Sequence, residues 1–502
     1  MSAAGTGGGA ATFSFRRDIS VTVVGQVAVL VGGVLLYRLL ATHKGASGLA
    51  SYALVKQIVV FVFPAVMLGL QTGVPRYVAL SRTEGGAESV LVAAIGITGI
   101  SCAVVSALAL AFPRATASLL MGSAHRTNLV VPLVATLAST VALEVVSGYL
   151  RGRLDFLVRT IVLVVGVAAF PVVLLIVIPT RPIGDLITLM AVALMVLCVG
   201  AAVPPLVRAV RAGLRRSLDA CRALARYGFR RIPGEAAAIG LFTLTPIAAA
   251  HVAPLRQVAY ISAGMQVLAM IRIAFQSIGL IFLPVLTQLW ETNRETARRY
   301  VGLLTTCALH VALFATPQLL LFADVAIRAW LGPSFAHAGH VIRLMMLPVP
   351  VYVFYLLLHV SLDAALVRSY NSRNRVISLV VAAGLAAVLL GFHVDKPINA
   401  IAWSFAIGVL ALGALTLRSV QSVFGITMEG AAVAPAVGLS AAAAAAGLAL
   451  RATILGPAHS ILVLVPLLAL ELALGAVYVA GLVRAGAAWP GELWLRLARR
   501  PG

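Results

Sequence analysis

The chain is a succession of apolar stretches separated by short polar loops. A helix needs about 20 apolar residues to cross hydrocarbon about 30 Å thick. With 61% hydrophobic residues, 11% charged residues and a mean hydropathy of +1.04, the composition is that of a membrane protein. The predicted fold class is therefore an all-α polytopic membrane protein with about 14 transmembrane helices. The apolar windows fall at 18–41, 49–73, 87–112, 128–150, 160–179, 184–207, 233–253, 259–288, 300–323, 341–366, 376–392, 397–417, 432–450 and 459–483.

The formal net charge of +22 comes mostly from arginines in the loops. If the N-terminus is placed inside, the loops on the cytoplasmic side hold most of these arginines, as the positive-inside rule requires. This placement predicts a bacterial plasma (inner) membrane protein with both termini cytoplasmic, and it argues against nucleic acid as a partner. The longest loop, 208–232, reads as a basic amphipathic linker that contacts anionic lipids.

Short matches between the two halves of the chain predict an internal repeat. "FPRATASLLMG" begins at Phe112 and "FADVAIRAWLG" at Phe322, 210 residues later. Tyr52 and Tyr260 are 208 residues apart, as are the starts of "LDFLVR" and "LDAALVR". A near-constant offset favours two homologous six-helix halves with a site between them, a recurring plan of transporters. The predicted organisation is a basic cytoplasmic tail (1–17), a first bundle (18–207), the linker (208–232), a second bundle (233–417), two extra helices (418–484) and a basic cytoplasmic tail (485–502).

Four segments carry a family resemblance. In the first half these are "FRRDISVTVVGQVAVLVGGVLLYRLLA" and "GLASYALVKQIVVFVFPAVMLGLQTGVPRYVALSR", and in the second half "LPVLTQLWETN" and "WLGPSFAHAGHVIRLM". With them the chain resembles the polysaccharide transporter family of lipid-linked oligosaccharide flippases, of the O-antigen and capsule repeat-unit type. That family belongs to the multidrug/oligosaccharidyl-lipid/polysaccharide exporter superfamily. The resemblance implies two pseudo-symmetric six-helix bundles that form a V around a cavity lined by the first, second, seventh and eighth helices. It also implies alternating access.

Arg272 is the main candidate binding residue, because it interrupts the apolar window 259–288. An arginine at the bilayer centre costs at least about 2.5 kcal/mol, so a lipid-facing position is excluded. At helical spacing, one polar sector contains Arg272 together with Ser262, Gln266, Gln276 and Ser277. Such a stripe suits an anionic diphosphate and polar sugar; the alternative is a structural arginine paired with a backbone carbonyl or with Glu144.

Four more polar residues in the spans are candidates for substrate binding. Lys56 and its neighbour Gln57 lie in the second window, where the lysine stem either reaches the interface or lines the cavity. Arg38 and Arg343 lie near the predicted outer ends of their windows. For both, snorkelling is favoured over a role in releasing the substrate.

Two acids are candidates for ion pairing or for coupling to H⁺ or Na⁺. Glu144 either pairs with Arg272 or takes a coupling proton, and pairing is favoured. Glu235, at the start of the seventh helix, suits a first-turn acid stabilised by the helix dipole. No cofactor, metal site or disulfide framework is predicted, because the cysteines are scattered: Cys102, Cys198, Cys221 and Cys307.

The predicted function is translocation of a polyprenyl-diphosphate-linked oligosaccharide from the inner to the outer leaflet, without catalysis, in contact with polysaccharide assembly proteins. A peptidoglycan lipid precursor is the main alternative cargo. A cation or multidrug antiporter would need carboxylates in the cavity helices, where the chain has Lys56 and Arg272 instead. A transport-inactive membrane partner for envelope assembly would need a large soluble domain. A membrane enzyme is the least favoured, because no acidic pair suited to a metal stands in the loops.

Overall fold

The computed structural model describes residues 8–81, 86–212, 220–222, 224, 232–365, 370–392, 396–426, 430–454 and 463–485. The chain divides into two compact units, which we call the first unit (Met1–Ile239) and the second unit (Gly240–Gly502). The predicted linker 208–232 lies mostly outside the described residues.

The first unit is built of helices. The long first helix begins at Gly8, inside the segment predicted as a tail, and the last one continues through Ala212 into the predicted linker. The helices are α1 (Gly8–Met67), α2 (Leu70–Leu80), α3 (Gly86–Ala111), α4 (Pro113–Met121), α5 (Val130–Gly152), α6 (Phe156–Leu163), α7 (Phe170–Val177) and α8 (Ile183–Ala212), with a 3₁₀ helix at Ala124–Leu129 and a π-helix at Val164–Ala169.

The second unit is also built of helices, and α9 (Ile232–Val252) crosses the boundary between the units. The others are α10 (Leu255–Thr292), α11 (Arg294–Leu331), α12 (Gly339–Met346), α13 (Val349–Ala365), α14 (Tyr370–Gly391), α15 (Pro397–Phe424), α16 (Gly430–Ile454) and α17 (Leu464–Arg484), with a 3₁₀ helix at Pro333–Ala338.

The described residues confirm an all-α polytopic membrane fold, and each of the fourteen apolar windows overlaps a helix. In the part of the chain that the structure describes, ten helices are long and apolar enough to cross a membrane, or eleven if the pair Pro333–Met346 and Val349–Ala365, bent by 47°, is one span. This count is below fourteen partly because Ser20–Met67, which contains two windows, counts once.

Helix α1 is broken at Gly45, whose backbone (φ 65°, ψ −173°) is a conformation that side chains with a Cβ rarely adopt. Beyond this break the chain folds back. The rings of Tyr37 and Tyr52, one on each arm, meet edge to face with centroids 6.1 Å apart. One window of apolar sequence on each side of Gly45 thus becomes a helical hairpin.

Small residues let helices approach closely within each unit. In the first unit, a Cβ added at Gly32 would lie 2.4 Å from the Cβ of Ala168, so α1 contacts the π-helix backbone to backbone. In the second unit, a Cβ at Gly413 would lie 2.2 Å from the carbonyl oxygen of Val351, which brings α15 against α13. Close packing of this kind supplies much of the attraction between helices in lipid.

Candidate functional site

Arg272 lies near the middle of the 38-residue helix α10, and its side chain is exposed. Its guanidinium interacts electrostatically with Tyr352, a fully buried residue of α13. Arg272 takes part in none of the ion pairs found among the described residues. The central position expected from the sequence is therefore present, with a tyrosine rather than an acid as the neighbour.

Other polar residues of α10 differ in how far they reach the surface. Gln266 is half-buried, whereas Ser262 is 1% exposed and its hydroxyl oxygen has no hydrogen-bond partner among the described residues. The predicted polar stripe thus turns into the interior of the second unit at Ser262. The side chains of Gln276 and Glu235 lie outside the described residues.

In the first unit, Lys56 stands exposed beside Tyr52, with Nζ 5.5 Å from the centre of the tyrosine ring. A cation in this position is attracted to the ring by about 0.5–1 kcal/mol at an exposed site. Gln57 next to it is half-buried, and Arg38 on the other arm of α1 is half-buried as well. Lys56 keeps its ammonium group accessible, as a ligand-binding cation must.

Glu144 has a partner within its own unit. Its carboxylate lies 3.8 Å from Nη2 of Arg151, one of the basic residues at the end of α5, and both side chains are 36% exposed. The same Nη2 donates a hydrogen bond of 3.3 Å to the backbone carbonyl of Gln71. Sequence reasoning had favoured Arg272 as the partner of Glu144 and did not consider Arg151.

Asp324 organises a cluster that sequence reasoning missed. Its Oδ2 lies 3.2 Å from Arg328, 3.0 Å from Arg343 and 3.0 Å from Arg451. Arg343, predicted to snorkel, is therefore held by an ion pair. The spacing of Asp324 and Arg328 at i, i+4 was the only local signal.

A second polar group in the second unit also escaped prediction. On α13, Tyr355 accepts a hydrogen bond of 2.9 Å from Nε of Arg375 and stacks on His359 at 5.0 Å. Asn371 bridges the carbonyl of His359 and the carboxylate of Asp363, at 2.8 and 2.7 Å. No group of three His, Cys, Asp or Glu residues suited to a metal occurs among the described residues.

Comparison with known proteins identifies the fold. No family model matches the sequence, and no curated protein matches it either. A solved structure entitled "Lipid II flippase MurJ, inward closed conformation" is similar with a TM-score of 0.69 at 13% identity, over 93% of this chain and 99% of that one. A structure entitled "Crystal structure of MATE in the bent conformation" is similar with a TM-score of 0.53 at 15% identity, over 82% and 95%. The chain has the fold of these transporters.

This likeness covers nearly the whole chain. At 13% identity it concerns the fold alone. What the chain carries must be argued from its own residues.

Proposed function

We propose that this chain is a flippase or exporter of the multidrug/oligosaccharidyl-lipid/polysaccharide exporter superfamily. Its cargo is a polyprenyl-diphosphate-linked oligosaccharide, moved from the inner to the outer leaflet by alternating access. No bond is made or broken. The protein gives a charged diphosphate and polar sugars a hydrated path through hydrocarbon, while the prenyl tail stays in lipid.

The observation that carries this proposal is Arg272, an exposed guanidinium halfway along a 38-residue helix. A charge at this depth is costly unless it faces water, an ion or a ligand. A planar guanidinium binds phosphate through two parallel hydrogen bonds, which makes it the side chain best suited to a diphosphate. Gln266, on the same helix as Arg272, offers an amide group for sugar hydroxyls, and within the first unit Lys56 is an exposed cation with Gln57 beside it.

A peptidoglycan lipid precursor is the second candidate cargo, and one observation favours it. The structure to which the chain is similar over 93% of its length is that of a lipid II flippase. Both cargoes are glycans on a lipid diphosphate, so both require the same cationic anchor. They differ only in the sugars.

The fold is also compatible with a cation antiporter, since a MATE structure is similar over 82% of the chain. Cationic cargo calls for carboxylates where this chain has Arg272 and Lys56. Two described acids in the spans of the first unit are already paired with arginines, Glu144 with Arg151 and Glu88 with Arg208. The positive charges of Arg272 and Lys56 therefore favour an anionic cargo.

Binding to the purified full-length protein tests the proposal. Native mass spectrometry would compare a polyprenyl diphosphate with a lipophilic cation, in wild type, Arg272→Ala and Arg256→Ala. Arg256 is a matched control because it is an exposed arginine near the start of the same helix. We expect selective binding of the diphosphate, weakened at least about tenfold in Arg272→Ala, because a charge-assisted hydrogen bond contributes about 1.5–3 kcal/mol.

Binding of the cation in preference to the diphosphate would contradict the proposal and support the cation antiporter instead. If the folded Arg272→Ala protein bound the diphosphate as tightly as wild type, Arg272 would not be part of the binding site. A second assay, translocation of the two glycan lipids in proteoliposomes, would separate the oligosaccharide from the peptidoglycan precursor. Failure to move either one would leave a transport-inactive partner protein.

A further inference from the structure

Three arginines converge on one oxygen atom at one end of α11. Arg328 lies one turn after Asp324 on the same helix and donates from Nη2 to the carboxylate and from Nε to the Asp324 backbone carbonyl, both at 3.2 Å. Arg343 reaches the same carboxylate oxygen at 3.0 Å from the short helix α12. The cluster therefore joins two elements that flank the turn at Gly332.

The third arginine comes from much further along the chain. Arg451, near the end of α16, donates from Nη2 to Asp324 at 3.0 Å and from Nη1 to the backbone carbonyl of Leu321. It thereby ties α16, one of the two helices that follow the second bundle, to α11.

The charges of this cluster do not balance. Three guanidinium groups face a single carboxylate, which leaves a net charge of +2, and Asp324 is the only acid in the described ion pairs of these arginines. Most of their hydrogen-bond donors lie beyond the reach of one oxygen atom, since each guanidinium carries five. A clamp between two helices would need only one arginine for one aspartate.

The cluster is open to the surroundings. The Arg343 side chain is 44% exposed and that of Arg328 35%, whereas Asp324 is only 12% exposed. The carboxylate lies inside, and the Arg343 and Arg328 side chains around it reach the surface. Because Asp324 is on the inner side of the arginines, their exposed side is available to an anion.

The equivalent turn of the first unit shows that the fold does not need the cluster. The residues 210 positions before Asp324 and Arg328 are Arg114 and Ser118. The helix there still ends at a glycine of positive φ, Gly122, and is still followed by a 3₁₀ helix. Because the turn of the first unit forms without such a cluster, the three arginines of the second unit are not required for the turn. A role in binding a ligand would explain them.

We propose that Arg328, Arg343 and Arg451 form a binding site for a phosphate group carried by a lipid. Guanidinium groups bind phosphate oxygens through charge-assisted hydrogen bonds, and phosphates of lipid headgroups lie where polar helix ends meet the interface. Charge distribution predicts that this end of α11 faces the outer leaflet. The phosphate belongs either to a phospholipid headgroup or to a lipid-linked diphosphate. The site does not rest on the proposed function, because a phospholipid is sufficient to fill it.

The test is binding of phosphatidylglycerol, polyprenyl diphosphate and inorganic phosphate to the purified full-length protein, measured by titration in native mass spectrometry. The variants are Arg343→Gln, Arg343→Gln with Arg451→Gln, and Asp324→Asn. Arg114→Gln is the matched control, because it removes one exposed arginine from the equivalent turn of the first unit. Size-exclusion chromatography and thermal unfolding would establish that each variant is folded.

We expect Arg343→Gln to weaken lipid binding about tenfold and the double variant to weaken it further, because each loses charge-assisted hydrogen bonds. Arg114→Gln should bind as wild type does. Asp324→Asn keeps a side-chain oxygen that accepts hydrogen bonds from the arginines and removes one negative charge, so it should bind phosphate as tightly as wild type or more tightly. A purely structural cluster predicts the opposite for Asp324→Asn, since that change would only loosen the arginines.

The lipid arms identify the source of the phosphate. Preference for phosphatidylglycerol indicates a headgroup site, and preference for polyprenyl diphosphate indicates a contact with the cargo; either supports the site. Equal lipid binding by wild type and folded Arg343→Gln, or binding of inorganic phosphate with no lipid preference, would overturn it. If Asp324→Asn does not fold, Arg343→Gln still decides, because it leaves Asp324 with two arginines.

Discussion

The turn at Gly122 in the first unit and the turn at Gly332 in the second both contain a glycine of positive φ followed by a 3₁₀ helix, but they differ in where the neighbouring helices break. In the first, α3 ends at Ala111 and Pro113 starts the separate α4, because a residue before proline avoids helical geometry. In the second, Ala323 takes the place of Pro113 and α11 runs through to Leu331 without a break.

After the turn the pattern is reversed. In the first unit α5 is continuous from Val130 to Gly152. In the second unit Pro348 separates α12 from α13, and the pair is bent by 47°. The position 210 residues before Pro348 is Ala138, inside α5. Pro113 and Pro348 thus decide on which side of each turn the helix is interrupted.

Charge separates the halves further. The second unit holds the Asp324 cluster at its turn, whereas Arg126 of the first unit donates to the backbone carbonyl of Met121. Lys56 of the first unit has Gly264 as its equivalent at an offset of 208, and a Cβ there would lie 2.6 Å from the sulfur of Met345. At positions matched by the predicted repeat, the two units therefore place their cations differently.

The largest effect expected from this comparison is on stability at the Asp324 cluster. Asp324→Ala leaves three arginines without their shared carboxylate, which should lower the free energy of unfolding by about 3 kcal/mol. Arg114→Ala at the equivalent position should change it by less than about 0.5 kcal/mol. Denaturant titration of the purified variants in detergent measures both. Equal losses would mean that the two turns are energetically alike.

A smaller difference is expected between the two glycines. Gly332 (φ 89°, ψ −172°) has a backbone that is almost restricted to glycine, so Gly332→Ala should cost about 2–3 kcal/mol. Gly122 (φ 72°, ψ 7°) is left-handed helical, and Gly122→Ala should cost about 1 kcal/mol. Thermal unfolding of both variants side by side tests this order. A milder effect at Gly332 than at Gly122 would contradict the assigned backbone conformations.

Lys56 tests whether the first unit contributes to binding. Lys56→Gln should weaken binding of a polyprenyl diphosphate about fivefold, less than Arg272→Ala, because a lysine binds phosphate as a point charge without the bidentate fork. Unfolding should be almost unchanged, since a cation beside the Tyr52 ring contributes only about 0.5–1 kcal/mol at an exposed site. Lys56→Arg is the control and should retain binding. Unaltered affinity in Lys56→Gln would confine the anion site to the second unit.

The smallest effect is expected at the ion pair of Glu144 and Arg151. Both side chains are 36% exposed and 3.8 Å apart, and pairs of this kind contribute about 0–1 kcal/mol. Glu144→Gln should therefore leave unfolding nearly unchanged. If the same variant lost the pH dependence of transport in proteoliposomes, Glu144 would be a coupling residue after all.

Much of the fold could be predicted from local sequence. Apolar stretches of about 20 residues become helices because backbone groups in lipid must bond within their own segment. Breaks at Gly45 and around Pro113 follow from glycine and proline geometry, which acts over one or two residues. Arg272 could be placed mid-helix by counting, since the rise per residue is constant.

Partners of the charges could not be predicted this way. Arg451 meets Asp324 across 127 residues, and Glu144 pairs with Arg151 rather than with Arg272. Ser262 shares a helix sector with Arg272 yet is buried, because neighbouring helices cover that part of α10. Sequence by itself determined the helices, the breaks at Gly45 and Pro113 and the position of Arg272 along its helix, because these depend on forces within one segment. Only the tertiary structure decided which charged side chains form ion pairs and which remain exposed. Pairs such as that of Arg451 and Asp324 form between helices that are far apart in the chain and pack together in the fold.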